Sequence, residues 1–300
     1  MRPFSAAAGP RLVLAGAFLI SFSGVYVKLA QVGPATAGFY RVLIGGLTLA
    51  LAARWQKQRL WAGPAPLALA LACGFFFWLD LTFWHRSVLY VGPGLATILA
   101  NFQVFILGAV GALALREHPG ARYWVSLALA MGGLFLLVGP ETLSRGGLPA
   151  WGVGFGLGTA VVYTCFILGV RKISSLPGHT GGLAAMAVVS LATALFLGGE
   201  LVVEGGSFAL PTLRAGLWLL AYGVLSQALG WFLISEGLPF TPASRAGLIL
   251  LLQPTLAFIW DIWFFARPTG VADLLGATAA VAAIYLGSPR PGRSRSPAQP

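Results

Sequence analysis

Asp80 is the side chain in this sequence that most needs a chemical reason. It stands inside FFFWLDLTFW, residues 75–84, where a carboxylate is costly unless it faces a cavity or a partner. So placed, it suits two tasks: holding an ammonium group or taking up a proton. The competing reading is a structural pair with Arg41 or Lys28. Trp84 lies four residues on, on the same helical face, with Phe76 and Phe77 near it. Asn101 and Gln103 fall near the middle of a second apolar run, and Gln253 near the middle of a third. An amide donates and accepts hydrogen bonds at once, which fits a polar or zwitterionic ligand. The alternative is a bond between helices, worth about 0.6 to 2 kcal/mol in a membrane. Trp78, Tyr163, Tyr222 and Trp231 add aromatic surface within apolar runs. Gln227 and Trp231, four apart, occupy the register of Phe77 and Leu81, 150 positions earlier, and so are expected to face the same central space. The expected ligand-binding set is Trp78, Asp80, Trp84, Asn101, Gln103, Tyr163, Gln227, Trp231 and Gln253. Asp261, close to the end of its run, reads as an interfacial charge.

No catalytic constellation stands beside this set. The three histidines, His85, His118 and His179, lie in or beside predicted loops and far apart. The sequence has no H-E-x-x-H, G-x-S-x-G or G-x-x-x-x-G-K-[ST], so it carries no phosphate loop for ATP hydrolysis. No metal or cofactor site is expected. Cys73 and Cys165 sit within apolar runs without metal-type spacing and read as space-fillers.

The elements that must position these residues follow from composition. The chain is 58% hydrophobic and 9% charged, with mean hydropathy +0.84, against about 25% charged residues in soluble domains. Too little polar surface remains to cover 300 residues in water. Only helices and closed barrels satisfy every backbone group in lipid. Barrel strands alternate in polarity over about ten residues, whereas these runs are apolar all round over about 20, the length of a spanning helix. Ten helices are predicted: 11–31, 35–54, 65–85, 93–115, 121–139, 150–171, 181–203, 213–236, 243–265 and 270–287. Gly and Pro punctuate nearly every junction, among them Gly33-Pro34, Gly63-Pro64, Gly92-Pro93 and Pro119-Gly120. Residues 1–10 form a predicted N-terminal segment, and the tail 288–300 has no apolar periodicity and is expected to be disordered.

The net charge of +11 does not point to nucleic acid, because the positives sit in short connections between apolar runs and not in a stripe with aromatics. With the N-terminus inside, the inner connections collect most of them, including Arg54, Lys57, Arg59, Arg116, Arg122, Arg171 and Lys172. That bias predicts both termini in the cytoplasm. The first 37 residues imitate a secretory signal, but cleavage there would break the match between halves described next.

The outline from Phe75 to Glu117 returns 150 positions later. The identities in that register are few (Leu79/Leu229, Ala96/Ala246, Gln103/Gln253), so spacing carries the match. An odd number of helices per half makes the second half enter from the opposite side of the membrane. Inverted repeats of that kind place a binding site near the midplane. The fold expected is an all-α polytopic membrane protein with two inverted five-helix repeats, 11–139 and 150–287. Gly152/Gly156 and Gly154/Gly158 open the 150–171 helix with small-residue spacings suited to close helix packing.

Phe39-Tyr40-Arg41, Leu89-Tyr90, Asn101-Phe102-Gln103, Arg116-Glu117 and Gly132-Gly133 resemble the drug/metabolite transporter superfamily, in its EamA type, over residues 11–287. Within that group the chain is similar to exporters of aromatic amino acids. The resemblance implies ten helices in two inverted units and a small-molecule substrate. It also implies a place in the bacterial inner membrane, and because a complete pair of halves needs no partner to form a pathway, a monomer is expected. Tyr163 matches a position that carries an aromatic in those exporters. Asn101 and Gln103 depart from their pattern, standing where aromatic side chains are expected. Ala266-Arg267 replaces the Arg116-Glu117 of the first half, a change expected to touch only a loop. The readings carried forward are a facilitator or proton-coupled exporter of amino acids, a multidrug or nucleotide-sugar carrier, a channel, and a polytopic membrane enzyme.

Overall fold

The structure, a computed structural model, describes residues 8–60, 63–143, 150–176 and 181–287, and these are helical with no strand among them. The predicted tail 288–300, residues 1–7 and His179 lie outside the described residues. In chain order the helices are α1 Gly9–Ser21, α2 Ser23–Ala30, α3 Pro34–Trp55, α4 Pro64–Ala100, α5 Gln103–Leu113, α6 Ala121–Leu143 and α7 Ala150–Ser175. They continue as α8 Gly182–Val203, α9 Leu213–Ala221, a π-helical segment Tyr222–Gly230, α10 Trp231–Gly237, α11 Ala243–Leu250, α12 Leu252–Phe265 and α13 Val271–Gly287. By length and composition, seven helical runs among the described residues are apolar enough to cross a membrane, the longest being Pro64–Leu113. Shorter apolar helices cover Ala121–Leu136 and Val271–Gly287. Large apolar side chains ring the outside, and Trp55, Trp151, Trp263 and Tyr285 are among the most exposed of them. Such amphipathic rings belong at the head-group level of a bilayer.

The sequence predicts an end of helix at residue 85, and the structure differs. α4 runs on through His85 and Arg86 and breaks its backbone pattern only at Gly92, whose φ of 79° and ψ of 162° leave the helical region. Two features make Gly92 the breaking point. Glycine tolerates positive φ, and Pro93 disfavours helical geometry in the residue before it. Within the helix His85 lines an internal cavity and Arg86 reaches Glu204 at 3.7 Å. A second interruption falls at Asn101–Phe102, where Phe102 N bonds to Leu99 O and Val104 N to Asn101 O, three residues back. The 243–265 run is interrupted the same way at Leu251, whose N bonds to Leu248 O.

Two ends of the bundle can be told apart by contacts between distant segments. One end brings together Gly9 with Gly237, Gln58 with Ala184, and Glu117 with Ala243 and Arg171. The other joins Thr36 to Ser207, Tyr40 to Phe208, Lys28 to Asp261 and Ser87 to Gly152. At the start of α7 the Gly152/Gly156 pair serves packing, as its spacing predicts, and Gly154 of the second pair does not. A methyl group on Gly152 would meet Tyr90 Cβ at 2.6 Å and one on Gly156 would meet Leu99 Cβ at 2.7 Å, while Gly154 faces open space.

Candidate functional site

A cavity of about 520 Å³ lies between α1, α2, α3, α4, α5, α7, the π segment, α10, α11 and α12. It runs from the middle of the bundle toward the end that carries Lys28, Pro34 and Val88. Toward the opposite end it stops on a knot of rings. Phe77 stacks on Phe166 with centroids 4.6 Å apart and planes at 8°, and Trp231 packs edge-on to both, at 5.6 Å and 4.8 Å. Tyr163 adds a further edge contact to Trp231 at 6.2 Å. Phe166 and Trp231 are fully buried, so the knot is a dry floor.

Asp80, Trp84, Asn101, Gln103, Tyr163, Trp231 and Gln253 all line this one cavity. The helix breaks explain how Asn101 and Gln103, two residues apart, both reach it. On a continuous α-helix they would point about 160° apart, and the tightened turn at Asn101–Phe102 narrows that angle, so that both line the cavity. Asp80 is buried and makes no direct ion pair or hydrogen bond among the described residues. The two pairs weighed for it resolve otherwise: Lys28 binds Asp261 at 2.7 Å, which makes Asp261 part of an interfacial cluster, and Arg41 turns to other partners. Two lining residues carry a buried polar atom without a hydrogen-bond partner among the described residues, Gln103 Oε1 and Trp231 Nε1, while Gln253 pairs with Tyr163. Orphaned polar atoms are rare in a folded interior and call for an explanation.

Trp78 and Gln227 are not among the lining residues. Trp78 points to α8, where its indole N–H and the Thr82 hydroxyl both donate to Glu200 Oε2, and its ring stacks on Phe196 at 5.5 Å. Gln227 is wholly buried one layer behind the cavity. Its Oε1 accepts from Arg41 Nε at 2.8 Å, and its Nε2 donates to Ser190 Oγ at 3.0 Å. The shared central space expected for Gln227 and Trp231 therefore holds only for Trp231. The π segment is the physical reason: its wider turns rotate Gln227 onto α3.

Arg41 is the residue that the sequence reading left out of the site. Weighed in the sequence only as a structural partner for Asp80, it lies two turns into α3, is 7% exposed and faces the cavity. The signal was present, since an arginine inside an apolar run carries the same cost that singled out Asp80. Tyr222, His85 and Thr159 add to the polar lining, with Ser21, Ser23, Lys28 and Thr97 nearer the mouth.

The EamA-like transporter family matches this chain twice, over residues 8–139 and again over 150–288. The chain belongs to that family. Two relatives from Bacillus subtilis (strain 168) align along nearly the whole length. The uncharacterized transporter YwfM is 25% identical over 292 residues, covering 95% of each chain. The uncharacterized transporter YdfC is 25% identical over 285 residues, covering 91% of this chain and 87% of its own. A solved structure described as "Crystal structure of protein" superposes with a TM-score of 0.82 at 15% identity, over 95% of this chain and 97% of that one. That likeness bears on the fold alone. The family and relatives are transporters, so a multi-pass membrane protein that moves a small molecule is the reading they carry.

Proposed function

We propose that this member of the EamA-like family is a secondary exporter of small zwitterionic metabolites, foremost amino acids and including aromatic ones, working by alternating access around the central cavity. The observation that carries the proposal is the gathering of Asp80, Asn101, Gln103, Tyr163 and Gln253 on the wall of one cavity. A polar substrate offers partners to such groups, and Asp80 provides the countercharge for its ammonium group. The aromatic floor of Phe77, Tyr163 and Trp231 gives a flat apolar side chain a surface to rest on.

Ten spans as two inverted five-helix units are part of this reading. The double family match supports it, as does the way the 50-residue run Pro64–Leu113 divides at Gly92. Features of the backbone recur 150 positions apart: positive φ at Gln31 and Gly181 and at Arg116 and Ala266, and helix breaks at Asn101 and Leu251. With the basic connections in the cytoplasm, the cavity faces the outside of a bacterial inner membrane. Two complete halves in one chain need no partner to form a pathway, so a monomer belongs to this reading. No chain of acidic residues runs through the described part of the bundle, which favours a facilitator over proton antiport.

The test is counterflow in proteoliposomes. Vesicles preloaded with tryptophan should accumulate labelled tryptophan without any pH gradient, and Asp80→Asn and Gln103→Ala should each slow that uptake tenfold or more. A requirement for an imposed pH gradient would replace the facilitator with proton coupling. Parent-like uptake by both variants would remove the cavity assignment, and competition by sugar nucleotides or cationic dyes alone would favour the carrier alternatives.

A further inference from the structure

We propose that Arg41 is a carboxylate-binding subsite of the cavity, and that Gln227 and Ser190 are positioning residues that hold its guanidinium ready. The inference rests on the cavity being the substrate site and names the group that the other end of a zwitterion would meet.

A buried guanidinium is expensive without a counter-anion. Arg41 has no direct ion pair among the described residues, and its two bonds go to neutral oxygens. Nε–H donates to Gln227 Oε1 at 2.8 Å, and Nη1 donates to the Tyr222 hydroxyl at 3.2 Å. The Gln227 amide cannot flip away without loss, because its nitrogen is already committed to Ser190 Oγ. Those bonds use two of the five N–H donors of the fork, and the Nη edge remains for a carboxylate, which it matches in a bidentate fashion. The guanidinium carbon lies over the rings of Phe77 and Tyr222, at 5.6 Å and 5.1 Å from their centroids, and Arg41 itself lines the cavity.

The π segment supplies the geometry. Tyr222 and Gln227 are five residues apart, which on an α-helix means about 140° around the axis. The wider turns of Tyr222–Gly230 bring both side chains to one guanidinium, and single π turns of this kind gather at functional sites. Close approach of the backbones makes the reach short enough, since a methyl group on Gly223 would meet Ile44 Cβ at 2.6 Å. Asp80, on the same cavity wall and within electrostatic range of Arg41, takes the cationic end of a ligand whose anionic end Arg41 holds.

Binding to the purified chain tests this with four probes on one ring system: tryptophan, tryptophan methyl ester, tryptamine and indole-3-propionate. In the parent protein tryptophan should bind about tenfold or more tighter than its ester, a comparison that needs no variant. Arg41→Gln should bring that ratio close to one while leaving tryptamine unchanged. Gln227→Leu should lower the ratio part-way, and Gln227→Glu, which sets a competing carboxylate against Nε and has no donor for Ser190, should lower it at least as far. Equal binding of acid and ester, binding of neither, or an Arg41→Gln loss shared equally by all four probes would overturn the subsite. Indole-3-propionate binding as tightly as tryptophan has a different meaning: the carboxylate subsite stands, and the preference for amino acids falls.

Discussion

The two ends of the bundle differ in the charge that occupies one matched position. At the end beyond the aromatic floor, Glu117 reaches the start of α11. Its Oε1 accepts from Ala243 N at 2.6 Å, and its Oε2 accepts from Ser244 N at 3.1 Å and Ser244 Oγ at 2.7 Å. Arg171 of α7 adds a cation at 3.5 Å. A carboxylate there satisfies orphaned amides and complements the positive end of the helix. At the other end the residue 150 positions on is Arg267, which follows a left-handed Ala266 as Glu117 follows a left-handed Arg116. A guanidinium accepts no amide hydrogen bond and has the wrong sign for a helix start. Arg267 lies 4.0 Å from Asp261 and over the ring of Phe258. The cavity extends toward this second end, so closure coincides with the carboxylate.

Breaking the first end is expected to have the largest effect. Glu117→Ala strands the two amides and the hydroxyl at α11 and removes the partner of Arg171, at a cost of about 2 kcal/mol. In a background without Cys73 and Cys165, a cysteine at the buried Thr241 should react with a maleimide roughly 30-fold faster once Glu117 is lost, by the same free energy. Unchanged labelling would make the contact mere packing at a helix end, and Glu117→Gln should fall between the two.

How far this difference could be read beforehand depends on the range of the forces involved. The apolar runs were legible because lipid acts on each segment separately, and Asp80 because its cost is local to one helix. Glu117 looked like a loop residue because its partners lie 126 and 127 positions away. The Ala266-Arg267 departure was visible but had no assigned consequence until the matching carboxylate was seen to hold a helix start. The π segment had no local signature, since Tyr222 to Gly230 reads as ordinary apolar helix. Gln227 was therefore aimed at the cavity when it supports Arg41 from behind. His85 and Arg86 passed for a helix end because two polar residues among apolar ones resemble a connection, and the cavity beside His85 is a property of the assembled bundle.

The second end has its own ion pair, and its weakness sharpens the contrast. Lys28 and Asp261 join α2 to α12 at 2.7 Å, but the lysine side chain is 49% exposed. Exposed pairs contribute up to about 1 kcal/mol and are screened by salt. Lys28→Ala should accordingly lower thermal stability only slightly, with the difference shrinking between 0.05 and 0.5 M salt, whereas the Glu117→Ala deficit should persist across that range. A large, salt-independent loss at Lys28 would mean that the second end is latched as firmly as the first.

The smallest effect is the most direct check that charge at the matched position matters. Arg267→Glu places at the second end the kind of group that closes the first, where the register equivalent of Ala243–Ser244 is Pro93–Gly94. Pro93 has no amide hydrogen to give, so fewer donors are available than at α11. The new carboxylate also stands near Asp261. About 0.5 kcal/mol of favourable interaction with the helix start is a reasonable net expectation, or roughly a twofold shift toward a narrower mouth. A cysteine at Val88, on the cavity wall, should then label about half as fast as in the parent, and Arg267→Gln should not reproduce the slowing. Faster labelling in Arg267→Glu would show that repulsion from Asp261 dominates, and that the sign of the charge at this position is not what separates the two ends.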